Sequence, residues 1–120
     1  MKKASWAKRI REACENAGTY RDFFDSVIDT LADILEKRDE VGKLYVDSGS
    51  KPLVKYTNKG GATNIVKNPA LLLWDDLNKS ALSYWRDLGL TPAGLKKINE
   101  DVMKKKKRSG LEEALAELGG

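Results

Sequence analysis

A mainly α-helical bundle with one long central helix and one small β-hairpin is the fold this 120-residue sequence predicts. Three observations point there. Apolar residues recur at alternating spacings of four and three from Tyr20 to Tyr45, the periodicity of a helix face. Two short β-prone runs flank the Gly60-Gly61 pair, as in a hairpin. From Asn68 to Lys97 the chain then reads as two helices joined by a chemically specified corner.

The first helix is expected from about Ala4 to Asn16, with Trp6, Ile10 and Ala13 on one face and Ala17-Gly18 closing it. Thr19 with Asp22 three residues on has the spacing of a capping box, which would open a second helix from about Tyr20 to Val46. Tyr20, Phe24, Val27, Leu31, Ile34, Val41 and Tyr45 form its seam, interrupted only by Arg38. Phe23, Ile28 and Leu35 widen that seam beyond what a two-stranded coiled coil covers, so more than one neighbour is needed. The opposite face carries Asp22, Asp25, Asp29, Asp33, Glu36 and Glu40.

Residues from about 52 to 67 predict the hairpin, which needs a surface to pack on. Asn68 is placed to cap the third helix, and Pro69 fits its first position. Gly89 supplies the left-handed stop, with Leu90 set to fold back on Trp85 in a Schellman motif. Thr91 and Pro92 restart a helix at once, with Leu90 and Leu95 at hydrophobic-staple spacing. Residues 1–103 thus form a helical domain, and residues 104–120 a basic linker plus a short helix. Ser109 and Glu112 suggest a capping box for that helix, in which Leu111, Leu115 and Leu118 share a face. Eight residues are too few to be helical alone in water, so the segment docks either on its own core or on another protein.

Composition narrows the chemistry. With 41% hydrophobic and 33% charged residues and a mean hydropathy of −0.52, the chain predicts a soluble single domain with a modest core. No apolar run approaches a membrane span, and MKKASW does not begin a signal peptide. The lone Cys14 cannot form an internal disulfide, so it reads as a small packing residue in a cytosolic protein. The absence of His excludes His-based acid–base sites and Cys/His metal clusters. Gly60-Gly61 is followed by Ala62-Thr63 rather than Lys-Ser/Thr entering a helix, which favours a hairpin turn over a phosphate loop. The acidic stripe reads as a solvated face, and Asp75 as the i+4 partner of Lys79. Trp6, Trp74 and Trp85 lie in amphipathic patterns that favour packing over base stacking. No catalytic residues, cofactor or metal are therefore expected.

Charge is distributed unevenly. Lys2, Lys3, Lys8, Arg9 and Arg11 face only Glu12 in the first segment, whereas residues 20–40 are net acidic. Lys96, Lys97, Lys104, Lys105, Lys106, Lys107 and Arg108 outnumber Glu100 and Asp101 near the other end. Basic flanks around an acidic middle suit contact with a polyanion or head-to-tail contact between copies; a solvated surface is the plainer reading.

The run Thr57-Asn58-Lys59-Gly60-Gly61-Ala62-Thr63-Asn64, then Asn68-Pro69, the Leu/Trp helix and Leu88-Gly89-Leu90-Thr91-Pro92-Ala93 resembles the small terminase subunits of tailed bacteriophages and prophages. The resemblance extends from about Leu53 to Asn99 and more loosely over the second helix. It implies a non-catalytic, ring-forming DNA-recognition subunit in the host bacterial cytoplasm. Its partners would be double-stranded phage DNA, further copies of itself and a separate large subunit carrying the ATPase and nuclease. The basic residues just named become the DNA-contact candidates. Phe24, Val27, Leu31, Ile34, Val41, Trp74, Leu77 and Tyr84 become assembly candidates, and Leu111, Leu115 and Leu118 the large-subunit dock. A dimeric DNA-binding regulator and a helical adaptor are the competing expectations.

Overall fold

The computed structural model describes residues 1–118, apart from the side chain of Ser109. Helix α1 spans Lys3–Ala17, a 3-10 turn spans Asp22–Phe24, and α2 spans Asp25–Asp47. Strands β1 (Leu53–Thr57) and β2 (Thr63–Lys67) follow, then α3 (Pro69–Asp87) and α4 (Pro92–Leu118). The chain is mainly helical, at 74%, with a small two-stranded hairpin, as its sequence predicts.

Helix α2 is the centre, flanked by α1 and α3. Its fully enclosed residues are Ile28, Leu31, Ala32 and Leu35, the i, i+3, i+4, i+7 set of one face. They meet Ile10 and Cys14 of α1, Ala81 of α3 and Leu88 in one core. The buried face is therefore turned toward Ile28 and Leu35, which the sequence places at the margin of the seam. The rotation also explains Arg38. Its guanidinium reaches Asn78 of α3 at 3.3 Å, Asp39 at 3.0 Å and the Trp6 ring of α1 at 5.3 Å. A charged residue in the seam thus ties three helices together at their rim.

Local capping sets the corners. Gly18 at φ +73° ends α1, with Gly18 N–H on Glu15 O (3.1 Å) and Thr19 N–H on Cys14 O (2.9 Å), a Schellman pair. The Thr19 hydroxyl also donates to Cys14 O, so it caps no helix. This corrects the expected capping box: α2 proper begins at Asp25, and Tyr20 lies ahead of it with its hydroxyl donating to Asp25 at 2.7 Å.

The α3–α4 corner has the predicted form. Gly89 N–H meets Arg86 O and Leu90 N–H meets Trp85 O, each at 2.9 Å, completing the Schellman motif. The Thr91 hydroxyl accepts from Gly94 N–H at 3.1 Å, capping α4 two residues after the turn. Gly94 is buried against the last turn of α3, where an added Cβ would collide with the Arg86 carbonyl group.

A single helix replaces the expected linker and separate terminal helix. Helix α4 continues through Lys104–Arg108 to Leu118. Lys and Arg are good helix formers and no proline interrupts the run, so a charged stretch alone does not end the helix. The backbone is already helical at Ser109, leaving no N-terminus there to cap.

The molecule is long, with extents of 85 × 28 × 21 Å and a radius of gyration of 22.4 Å. A compact chain of this size would have about 14 Å. Among the described residues no helix is long and apolar enough to cross a membrane.

Candidate nucleic-acid interface

The two basic clusters meet different fates. On α1, Lys3 Nζ pairs with Asp29 at 3.3 Å, and Lys3 N–H donates to Glu36 at 2.6 Å. Arg11 pairs with Glu15 at 3.2 Å and lies over the Tyr20 ring. Arg9 covers Trp6, while Lys8 shares a cleft with Asp25 and Asp29. The acidic stripe of α2 thus answers much of the α1 charge, and Lys2 too shares a cleft with Glu36, Asp39 and Glu40. On α4, by contrast, none of Lys96, Lys97 and Lys104 to Arg108 has an ion-pair partner among the described residues, and all are exposed.

Helical geometry sorts the α4 cations further. At about 100° per residue, Lys96, Lys97, Lys104, Lys107 and Arg108 fall within an arc of about 120°. Lys105 and Lys106 fall outside it, and Lys105 lines a cleft with Thr19, Phe23 and Phe24. The far end of the first cluster is not combined with the second. Lys2 and Lys3 sit at the end of α1 remote from the Thr19 corner, roughly 22 Å away along that helix.

The apolar residues of α4 change sides. Leu95, Ile98 and Val102 are half-buried toward the bundle. Leu111, Leu115 and Leu118 lie about 165° further round and are exposed, Leu118 at 85%. Nothing in the bundle covers them, so the terminal turns pack on no part of the described chain. A shallow groove bordered by Pro92, Leu95, Asn99 and Met103 runs along the first half. It belongs to one helix and cannot enclose a small ligand.

The proposed assembly residues divide in the same way. Leu31 is wholly enclosed at 0% exposure, so it has no surface to offer another copy; it is core. Phe24, Val27, Ile34 and Tyr84 are half-buried against that core. Val41 and Leu77 are half-buried, and Trp74 lies over Gly42 of α2 while remaining 39% exposed. The more open apolar residues are others: Leu72, Leu73 and Leu82 on α3, Leu44 and Val46 on α2, and Phe23. Total accessible surface is 8938 Å², against about 6500 Å² for a compact monomer of this mass. The excess accompanies the elongated shape of the chain.

Two titratable groups depart from their ordinary values in ways that matter structurally. Burial raises the Asp39 carboxyl, but bonds from Trp6 Nε1 (2.7 Å), the Met1 amino group (3.0 Å) and Arg38 outweigh it and hold the group low. Burial pushes the Cys14 thiol up, which keeps it protonated and unreactive. Among the described residues no three His, Cys, Asp or Glu side chains converge as metal ligands would.

Comparisons with models of protein families, with curated proteins and with solved structures returned no match.

Proposed function

We propose that this protein is a small terminase subunit of a tailed phage or prophage: a non-catalytic, ring-forming subunit that recognises viral DNA and hands it to a large ATPase/nuclease subunit. The observation carrying this reading is the α3–α4 corner. Its Leu88–Ala93 sequence is the motif on which the resemblance rests, and it launches a helix whose cations have no acidic partners among the described residues. In this reading α4 meets the phosphates. The open apolar residues of α2 and α3 meet neighbouring copies, and Leu111, Leu115 and Leu118 meet the large subunit in the host cytoplasm.

Native mass spectrometry and DNA binding at several salt concentrations test it together. A closed oligomer of more than two copies is expected, with duplex binding that falls steeply with salt. Replacing Lys104 to Lys107 with Gln should flatten the slope of log K against log salt by about 1.8, from the two of them on the cationic arc, Lys104 and Lys107, at about 0.9 each. A strict monomer across micromolar concentrations would overturn the assembly. A dimer gripping one short operator, without a large-subunit partner, would favour a regulator instead.

A further inference from the structure

From the β-hairpin we infer a second DNA contact: a cationic two-stranded ribbon that enters the major groove of duplex DNA. The inference rests on the DNA-binding reading above and names an element outside the basic clusters of α1 and α4. Lys51, Lys55, Lys59 and Lys67 all belong to the hairpin or its base, and no acidic residue occurs between Asp47 and Asp75. All four lysines are exposed and none has an ion-pair partner among the described residues.

Register turns this composition into a surface. The pairs Leu53↔Lys67, Lys55↔Ile65 and Thr57↔Thr63 share one face, because side chains alternate along a strand. Cations and apolar groups therefore oppose each other across the ribbon, with the two threonine hydroxyls bonded at 3.0 Å near the tip. Ile65 is 71% exposed and Leu53 57%. The half-buried pair, Val54↔Val66, lies on the other face near the base, while Tyr56 on that face is 58% exposed. The lysine face is therefore the more open one at the base, and both faces are open toward the tip.

The ribbon is fixed at both ends yet stands clear of the bundle. At the tip, the Asn58 side chain accepts from Gly60 N–H and Ala62 N–H, each at 3.0 Å, and Gly61 takes φ +84°. At the base, Asn68 N–H donates to Pro52 O at 2.8 Å and its side chain to Lys51 O at 2.9 Å. No helix packs substantially on either strand. Two strands lie about 4.8 Å apart, and a ribbon of that width with its side chains fits a B-DNA major groove about 12 Å wide. The lysines would meet phosphates and the threonines and Ile65 the base edges, where Ile65 suits a thymine methyl group.

The test uses the full chain with a mixed-sequence 30-base-pair DNA duplex and the RNA duplex of the same sequence. Lysine acetylation, read by mass spectrometry with and without DNA, reports contact directly. Binding should protect Lys55, Lys59 and Lys67 severalfold, and replacing Lys51, Lys55, Lys59 and Lys67 with Gln should lower the salt slope by about 2 to 3.6. DNA should bind at least tenfold more tightly than the RNA duplex, whose deep, narrow groove does not admit the ribbon. If the native chain binds no DNA, the functional reading fails and this inference with it. If it binds while the hairpin lysines stay fully reactive and the slope holds, the ribbon is not a contact and the functional reading stands. Equal affinity for RNA would overturn groove insertion.

Discussion

Asn68 joins two elements through one side chain, and its replacement separates them. Its Oδ1 accepts from Ala70 N–H at 3.0 Å, capping α3, and its Nδ2 donates to Lys51 O at 2.9 Å, holding the hairpin base. The residue is only 6% exposed, so water cannot readily replace either bond. Asn68→Ala removes a cap worth about 1 kcal/mol and a bond worth about 1 kcal/mol. The total of about 2 kcal/mol, at a denaturant dependence of about 1.5 kcal/mol/M, lowers the urea midpoint by about 1.3 M. Asn68→Asp keeps the acceptor and suits the positive end of α3, but it sets a carboxylate oxygen against the Lys51 carbonyl. Near neutral pH it should be destabilised through the hairpin alone. Relative to the native chain it should recover below about pH 4, where protonation restores a donor. A midpoint for Asn68→Ala within about 0.3 M of native would refute the linkage, and a fully stable Asn68→Asp would mean the Lys51 bond contributes nothing.

Four further outcomes follow from the geometry. Gly18 and Gly89 share φ +73°, but a Cβ at Gly89 would lie 2.7 Å from Ile98 Cδ1 and 2.8 Å from Thr19 Cγ2, whereas Gly18 has open space. Gly18→Ala should therefore cost about 1–2 kcal/mol and Gly89→Ala about 1–3 kcal/mol more, measured by urea unfolding; equal costs would refute the packing at that corner. Gly94→Ala should destabilise by about 1–3 kcal/mol through its clash with Arg86, read as a fall in Tm. Asp39 has a depressed carboxyl, so its contribution is full above the ordinary carboxylate range and lost as pH falls through the lower folded value. Asp39→Asn should flatten the acid limb of the stability profile, and an unchanged limb would show that its bonds carry no net weight. Deleting residues 111–120 should leave Tm within about 2 °C because the described part of that segment is exposed throughout; a large loss would make it part of the fold.

Which features the sequence discloses follows from the range of the interactions. As helix caps and stops, Asn68, Gly89, Thr91 and Gly18 act on backbone groups within five residues of themselves, so spacing alone specifies the corners. The Asp75–Lys79 pair at 3.1 Å is equally local, whereas the bond from Asn68 to Lys51 O spans 17 residues and leaves no local trace. Leu31 and Arg38 are different. Periodicity identifies an apolar face, but its rotation is set by neighbours such as Ile10 and Asn78, far away in sequence. The end of α4 was obscure for the opposite reason: a run of lysines contains no local stop signal. The hairpin lysines do not look like a cluster because apolar residues separate them. The absence of acids between Asp47 and Asp75 is their one visible trace, and only the antiparallel register gathers Lys55 and Lys67 on a common face.

The elongated shape changes what a sizing experiment would read. A compact protein with a radius of gyration of 22.4 Å would contain about 450 residues. On a gel-filtration column calibrated with globular standards, one copy of this chain would therefore leave early and imitate a small oligomer. Elution volume cannot count its copies. Only a measurement of mass, by light scattering, sedimentation equilibrium or native mass spectrometry, separates a single long molecule from a true assembly.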